Sequence, residues 1–228
     1  ATAVHAVRVD TSSRGHRGRR GRSFVSPAGQ GLYLSVLLRP RCPLEEVSAL
    51  TAWTAVAVCN AVERVCGVRP GIKWPNDVIL DGRKLCGILT ELELEAETAA
   101  LRHVVVGVGI NLTQTAADFG PEVAPVAVSL AQALGRAPRR AEMAAAVLAA
   151  LDELYAAFPA ERAAWLERYR ADCLTLGRTV RLLRAGEEEE AFAEAVDDAF
   201  ALVVRRADGS REAVSSGEVS VRGLLGYV

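Results

Sequence analysis

The spacing of apolar and polar positions changes period several times along this chain, and each change predicts an element. Residues 31–39, GLYLSVLLR, form a short apolar run bounded by turn residues and predict a buried strand. Pro43 with Glu45 and Glu46 places proline and two acids in a first helical turn, opening a helix that runs to about Cys66 and stops at Gly67. Its apolar positions, Leu50, Trp53, Val56, Ala57, Val58 and Val62, lie nearly all round the axis, so it packs against a sheet. Trp74 precedes Pro75 and is therefore extended, Asn76-Asp77 is turn-prone, and residues 78–80 are a short apolar run. Asp81-Gly82 is a hairpin signal, and residues 84–94 alternate as a strand does, which sets Lys84 at the mouth of a hairpin. Residues 103–112, HVVVGVGINL, predict another strand, residues 113–127 a loop, and residues 128–134 a short helix ended by Gly135. Residues 139–158 and 161–170 predict two more helices, the second with Trp165, Leu166 and Tyr169 on its apolar side.

At Gly177 the texture changes. Residues 179–183, 191–196, 200–204, 212–214 and 219–222 read as short strands, with Asp208-Gly209 as a hairpin turn, and suggest a small barrel. Consecutive hairpins without regular strand-helix alternation favour an α+β fold over a doubly wound sheet. The expected division is a domain over residues 1–173 and a second over residues 174–228.

Composition narrows the class more than the chemistry. Half the residues are apolar, a quarter are charged and the net charge is −1, so no global field collects nucleic acid or an anionic membrane. Five cysteines at 42, 59, 66, 86 and 173, with no Cys-x-x-Cys pair, argue against a zinc site or a disulfide framework and suit a reduced, cytoplasmic setting. No apolar run reaches the length of a membrane span.

The basic residues are distributed unevenly. Lys73 and Lys84 are the only lysines among 27 basic residues, and both fall within KWPNDVILDGRKLCGIL, residues 73–89. An ammonium is a compact point charge able to sit beside a carboxylate oxygen and a phosphate oxygen together, which a flat guanidinium does less well. Gly87, inside the strand that follows Lys84, lets a ligand approach the backbone closely. Residues 14–22, RGHRGRRGR, hold five arginines and three glycines, a segment that buries too little to order itself and offers bidentate donors to phosphate or carboxylate oxygens. Gly107-x-Gly109 lacks the spacing of a dinucleotide fingerprint.

Taken in order, HRGRRGRSFVSPAG at 16–29, KWPND at 73–77, KLCGIL at 84–89 and GVGIN at 107–111 closely resemble the biotin protein ligases, and the resemblance covers nearly the whole chain. It implies a catalytic domain similar to class II aminoacyl-tRNA synthetases, a mixed sheet with helices, followed by an SH3-like barrel. It implies two steps: biotin and ATP with Mg2+ give biotinyl-5'-AMP, and a lysine of a biotin carboxyl carrier domain then attacks the anhydride. Bringing a carboxylate to a triphosphate costs about 4 kcal/mol at 4 Å and an effective dielectric of 20, which cations must offset.

By the same resemblance, Lys84 contacts the biotin carboxylate and then the phosphate oxygen, as a catalytic residue with Arg19 and Asp77. Arg17, Gly18 and Arg19 form a loop over biotin and the adenylate, with Arg22 near the phosphate. Phe24 takes the place of the usual tryptophan beneath adenine. Lys73, Asn76 and Asp77 lie beside the phosphates and Mg2+, Asp77 also as a candidate to receive the proton of the incoming lysine, and Trp74 is among the substrate-binding residues. Gly87 and Ile88 wall the biotin, and Gly109 and Asn111 reach the adenine or ribose side. No protein metal site is expected. Ser13 and His16 depart from the family's glutamine and glycine. The family's upstream Ser-Thr-Asn segment has no counterpart here, so a further N-terminal piece is expected before Ala1. The expected partner is the carrier domain of acetyl-CoA carboxylase or a related carboxylase, without membrane or nucleic acid, and with a homodimer open to it. Two other readings stay in view: a non-catalytic nucleic-acid-binding module using the arginine run, and a lipoyl or octanoyl transferase.

Overall fold

The computed structural model describes residues 6–10, 28–40, 42–47, 49–98, 100–184, 187–215 and 220–223. Strands β1 (Ala6–Asp10), β2 (Gly31–Leu38), β3 (Gly71–Lys73), β4 (Asp77–Leu80), β5 (Arg83–Leu94) and β6 (Leu101–Asn111) make one sheet in the order β1-β2-β6-β5-β4-β3. Each described strand pair is antiparallel. The parallel part of the expected mixed sheet consists of two isolated bridges, Ile72 with Cys173 and Lys84 with Ala127.

Alternation divides the sheet into two faces. Leu32, Leu34, Val36 and Leu38 of β2 and Val104, Val106, Val108 and Ile110 of β6 are buried on one face. That face is covered by α2 (Ala49–Cys66), which touches β3, β4 and β5, and by α5 (Arg140–Ala157), which touches α2 and β2. Burial of α2 is nearly continuous from Ala49 to Val62, as its all-round apolar sequence requires. Trp53 at its centre stacks on Trp165 of α6 (Arg162–Asp172) with centroids 5.2 Å apart, and meets Phe158 edge-on at 5.0 Å.

The helix predicted from Pro43 onward is described as α1 (Leu44–Val47) and α2, on either side of residue 48, which lies outside the described residues. Strands β1 and β3 escape the periodicity because each is too short to show it. The predicted loop over residues 113–127 holds one turn of helix, α3 (Ala116–Phe119), closed by a capping box between Thr115 and Asp118. A second capping box, Ser129 with Gln132, starts α4 (Leu130–Leu134).

The C-terminal strands β7 (Thr179–Arg184), β8 (Glu187–Val196), β9 (Leu202–Arg205), β10 (Arg211–Val214) and β11 (Ser220–Gly223) form an antiparallel sheet in the order β10-β9-β8-β7-β11. β8 begins earlier than its apolar pattern, because Glu188 and Glu189 are held by Arg181 and Arg206. Val180, Ala193, Leu202 and Val204 join the residues beneath the first sheet in one contiguous apolar core.

Candidate active site

One register row crosses five strands on the face opposite the helices. Tyr33, Gly109, Gly87, Asp77 and Lys73 are successive partners on β2, β6, β5, β4 and β3. Partners in a row project to the same side of a sheet, so two adjacent glycines leave bare backbone between the Tyr33 phenol and the Asp77 carboxylate. A ligand can lie against this floor without meeting a Cβ.

Lys84 reaches this face through an irregularity. Asp77 pairs with Gly87 and Val78 with Cys86, but Ile79 then pairs with Lys84, so Leu85 is an extra residue on β5. A regular ladder would put Lys84 opposite Leu80, on the same side as Cys86 and the core. The one-residue shift turns it over, beside Asp77. The Lys84 ammonium sits 2.5 Å from Asp77 Oδ1, both side chains about four-fifths covered. Leu85 and Cys86 are buried as consecutive residues, the expected signature of a bulge.

The main chain at Lys84 is clamped by the 113–128 connection. Its N–H donates to Val126 O (2.8 Å) and its carbonyl accepts from Val128 N–H (3.0 Å). Behind it, Asn111 Nδ2 donates to Val128 O (3.1 Å) and Lys84 O (3.4 Å). Those two bonds fix the Asn111 amide, whose Oδ1 accepts from Gln114 Nε2 (3.1 Å). Gln114 also donates to the Tyr33 hydroxyl (3.3 Å), and Ser129 Oγ donates to Gln114 O (2.7 Å). Asn111, Gln114 and Ser129 are buried, and this network supports the main chain at Lys84 from behind.

The KWPND segment is anchored at each residue between its two charged ends. Trp74 N–H donates to Thr175 Oγ1 (2.9 Å), its indole N–H to Phe200 O (3.0 Å), and Pro75 O accepts from Tyr169 OH (2.9 Å). Asn76 Nδ2 donates to Ile88 O. Lys73 is buried at the end of β3, in register with Asp77.

Cys86 lies on the far side of β5 from Asp77. Burial pushes its thiol up to about 12 against the pull of the Lys84 ammonium, so it is no nucleophile at neutral pH.

The structure thus brings together Lys84, Asp77, Lys73, Gly87 and Gly109. Ile88 corrects the expectation of a wall: its side chain points into the core, and it contributes a carbonyl to Asn76. Trp74, expected among the substrate-binding residues, is buried with its indole N–H donating to Phe200 O. Asn111, expected to reach the adenine or ribose side, has its amide taken up behind Lys84. Arg17, Gly18, Arg19, Arg22 and Phe24, with Ser13 and His16, lie outside the described residues. Tyr33 and Gln114 are additions. Alternation of Tyr33 and Ser35 with Leu32, Leu34 and Val36 carried a signal for the first; nothing local marks Gln114.

Residues 2–111 match the Biotin/lipoate A/B protein ligase family and residues 175–222 the Biotin protein ligase C terminal domain. The chain is 34% identical to the biotin--[acetyl-CoA-carboxylase] ligase of Mycobacterium tuberculosis, over 89% of this chain and 74% of that protein. It is 40% identical to the bifunctional ligase/repressor BirA of Bacillus subtilis over 61% of this chain, and spans 42% of that relative's length. The biotin protein ligase of Aquifex aeolicus in complex with biotin and ATP superposes with a TM-score of 0.82 at 26% identity, over 97% of this chain and 90% of that one.

Proposed function

Because the chain belongs to the biotin/lipoate A/B protein ligase family, we propose that it is a biotin protein ligase. It joins biotin to ATP and passes the biotinyl group to a lysine of a biotin carboxyl carrier domain. The observation that carries this reading is the Lys84–Asp77 pair standing at 2.5 Å beside the two-glycine floor.

In the first step a biotin carboxylate oxygen attacks the α-phosphorus of ATP, and the bond to the pyrophosphate oxygen breaks. Lys84, fixed at its backbone from both sides, offsets the repulsion between the two anions and holds the charge that builds on the phosphoryl oxygens. Lys73, the register partner of Asp77, supplies a second cation at the same end of the row. Asp77 aims the Lys84 ammonium through their 2.5 Å contact. In the second step the carrier amine attacks the carbonyl carbon of the anhydride, AMP leaves, and the amine proton passes to a base. Asp77 is the carboxylate placed to take it. A Mg2+ would arrive with ATP, held by phosphates plus at most one or two protein carboxylates. Asp77 would be that protein ligand.

Biotin-dependent exchange of labelled pyrophosphate into ATP tests the reading. The expected result is exchange that requires biotin and is not replaced by lipoate or octanoate. Exchange supported by lipoate instead would move the protein to the other branch of the family, and none with any acid would refute an adenylating role.

A further inference from the structure

We propose that Phe200, in the turn between β8 and β9 of the C-terminal sheet, is a positioning residue for the Lys73–Asp77 register pair. The inference rests on the ligase reading. It concerns how the second sheet acts on the chemistry of the first.

Phe200 has φ of 61°, in the left-handed region that a bulky side chain rarely enters. Its turn is built for that conformation. Asp197 N–H donates to Ala201 O (2.9 Å), Phe200 N–H donates to Asp197 O (3.1 Å), and Asp197 Oδ1 accepts from Ala199 and Ala201 N–H, each at 2.9 Å. Glycine would make the same turn without strain. The ring must therefore do something that glycine could not.

Ring and carbonyl act on neighbouring residues of the KWPND segment. The Phe200 carbonyl accepts from the Trp74 indole N–H at 3.0 Å. Its ring meets Tyr169 edge-on, with centroids 5.6 Å apart, and the Tyr169 hydroxyl donates to Pro75 O at 2.9 Å. The Arg162 guanidinium lies over the ring, 5.9 Å from its centroid, and donates through Nε to Asp198 O (3.0 Å), so the ring has two contacts besides its own turn. Trp74 and Pro75 are part of the connection between Lys73 and Asp77, which are register partners. A shift of that connection moves both charged groups at once. Phe200 thus ties the C-terminal sheet to Trp74 and Pro75, two of the three residues between them.

The test uses the native protein with Phe200→Gly, Phe200→Tyr and Trp74→Phe. Phe200→Gly keeps the turn and removes the ring; Trp74→Phe keeps an aromatic ring and removes the N–H. Pyrophosphate exchange is measured together with the amount of adenylate formed per folded chain and the amide hydrogen exchange of residues 73–77. The expected result for Phe200→Gly and Trp74→Phe is a fall in kcat of about tenfold to 100-fold. The KM for biotin holds within about twofold, one adenylate still forms per folded chain, and amides 73–77 exchange faster. Phe200→Tyr should restore wild-type kcat and protection. Unchanged protection at 73–77 overturns the proposal. So does a loss of exchange matched by a loss of adenylate per chain, since that reports unfolding alone. Absence of exchange in the wild type would count against the ligase reading, while faster amide exchange in the two variants would still establish the coupling.

Discussion

In the proposed mechanism Lys84 acts as a point charge on a flexible stem, so size and shape should matter as much as sign. Lys84→Ala should lower kcat/KM of biotin-dependent exchange by about 100-fold or more, about 2.7 kcal/mol or above of lost transition-state stabilisation. Lys84→Arg should fail almost as badly, because a planar fork cannot keep the 2.5 Å contact with Asp77 and also face a phosphate. Exchange in Lys84→Arg within about threefold of wild type would show that charge alone suffices. Cys86 makes a separate prediction. Its thiol is pushed from 9.0 to about 12 by burial, so the folded state binds a proton that the unfolded state releases first. This stability is fully present below about pH 9 and is lost as pH rises towards about 12. Urea unfolding across that window should show a falling free energy, with a shallower slope in Cys86→Ala. Tyr169, raised by its burial, contributes in the same direction. At this scale the sequence was a good guide to which residues carry charge. It did not show that the Ile88 side chain joins the core, or which partners take the Trp74 indole and the Asn111 amide, because a residue's type does not say which side of a strand it faces or who takes its hydrogen bonds.

Among the elements, the β5 bulge decides most. The Asp81-Gly82 turn, with φ of 51° and 71°, is written in the sequence, because few other pairs adopt two left-handed residues in succession. The extra residue at Leu85 is not. KLC reads as ordinary alternation, and the shift follows from the 113–128 connection hydrogen bonding both sides of Lys84. That connection is held in turn by the cap of α4. Ser129→Ala removes the Gln132 N–H cap (3.2 Å) and leaves the buried Gln114 carbonyl short of a donor. The expected loss is about 2–4 kcal/mol of unfolding free energy by urea titration. Asn111→Ala should reduce kcat while biotin still binds, since the Lys84 carbonyl loses a supporting donor. A change confined to the KM for ATP would instead give Asn111 the direct contact with nucleotide expected from its motif.

For the whole molecule, the two sheets share one apolar core and a set of buried hydrogen bonds, Trp74 to Phe200 and Arg170 Nε to Val196 O (2.8 Å) among them. Cooperative unfolding follows when neither part keeps its core without the other. Thermal melts followed by tryptophan fluorescence and by far-ultraviolet circular dichroism should therefore coincide in a single transition; two resolved transitions would show separable domains. The change of texture at Gly177 announced a second sheet correctly, yet gave no hint that its β8–β9 turn reaches the KWPND segment. What the sequence determined by itself was local or compositional: the α+β class, the hairpin around Asp81-Gly82, the largely buried helix α2, and the family membership carried by four ordered motifs, two of which hold the lysines. Hydrophobic period, turn chemistry and residue type act over a few neighbours and so can be read along the chain. Only the tertiary structure decided the cross-strand row, the face that Lys84 occupies and the hold of Phe200 on Trp74. Each depends on register and on hydrogen bonds between residues far apart in sequence, where shifting one strand by a single residue exchanges core for surface.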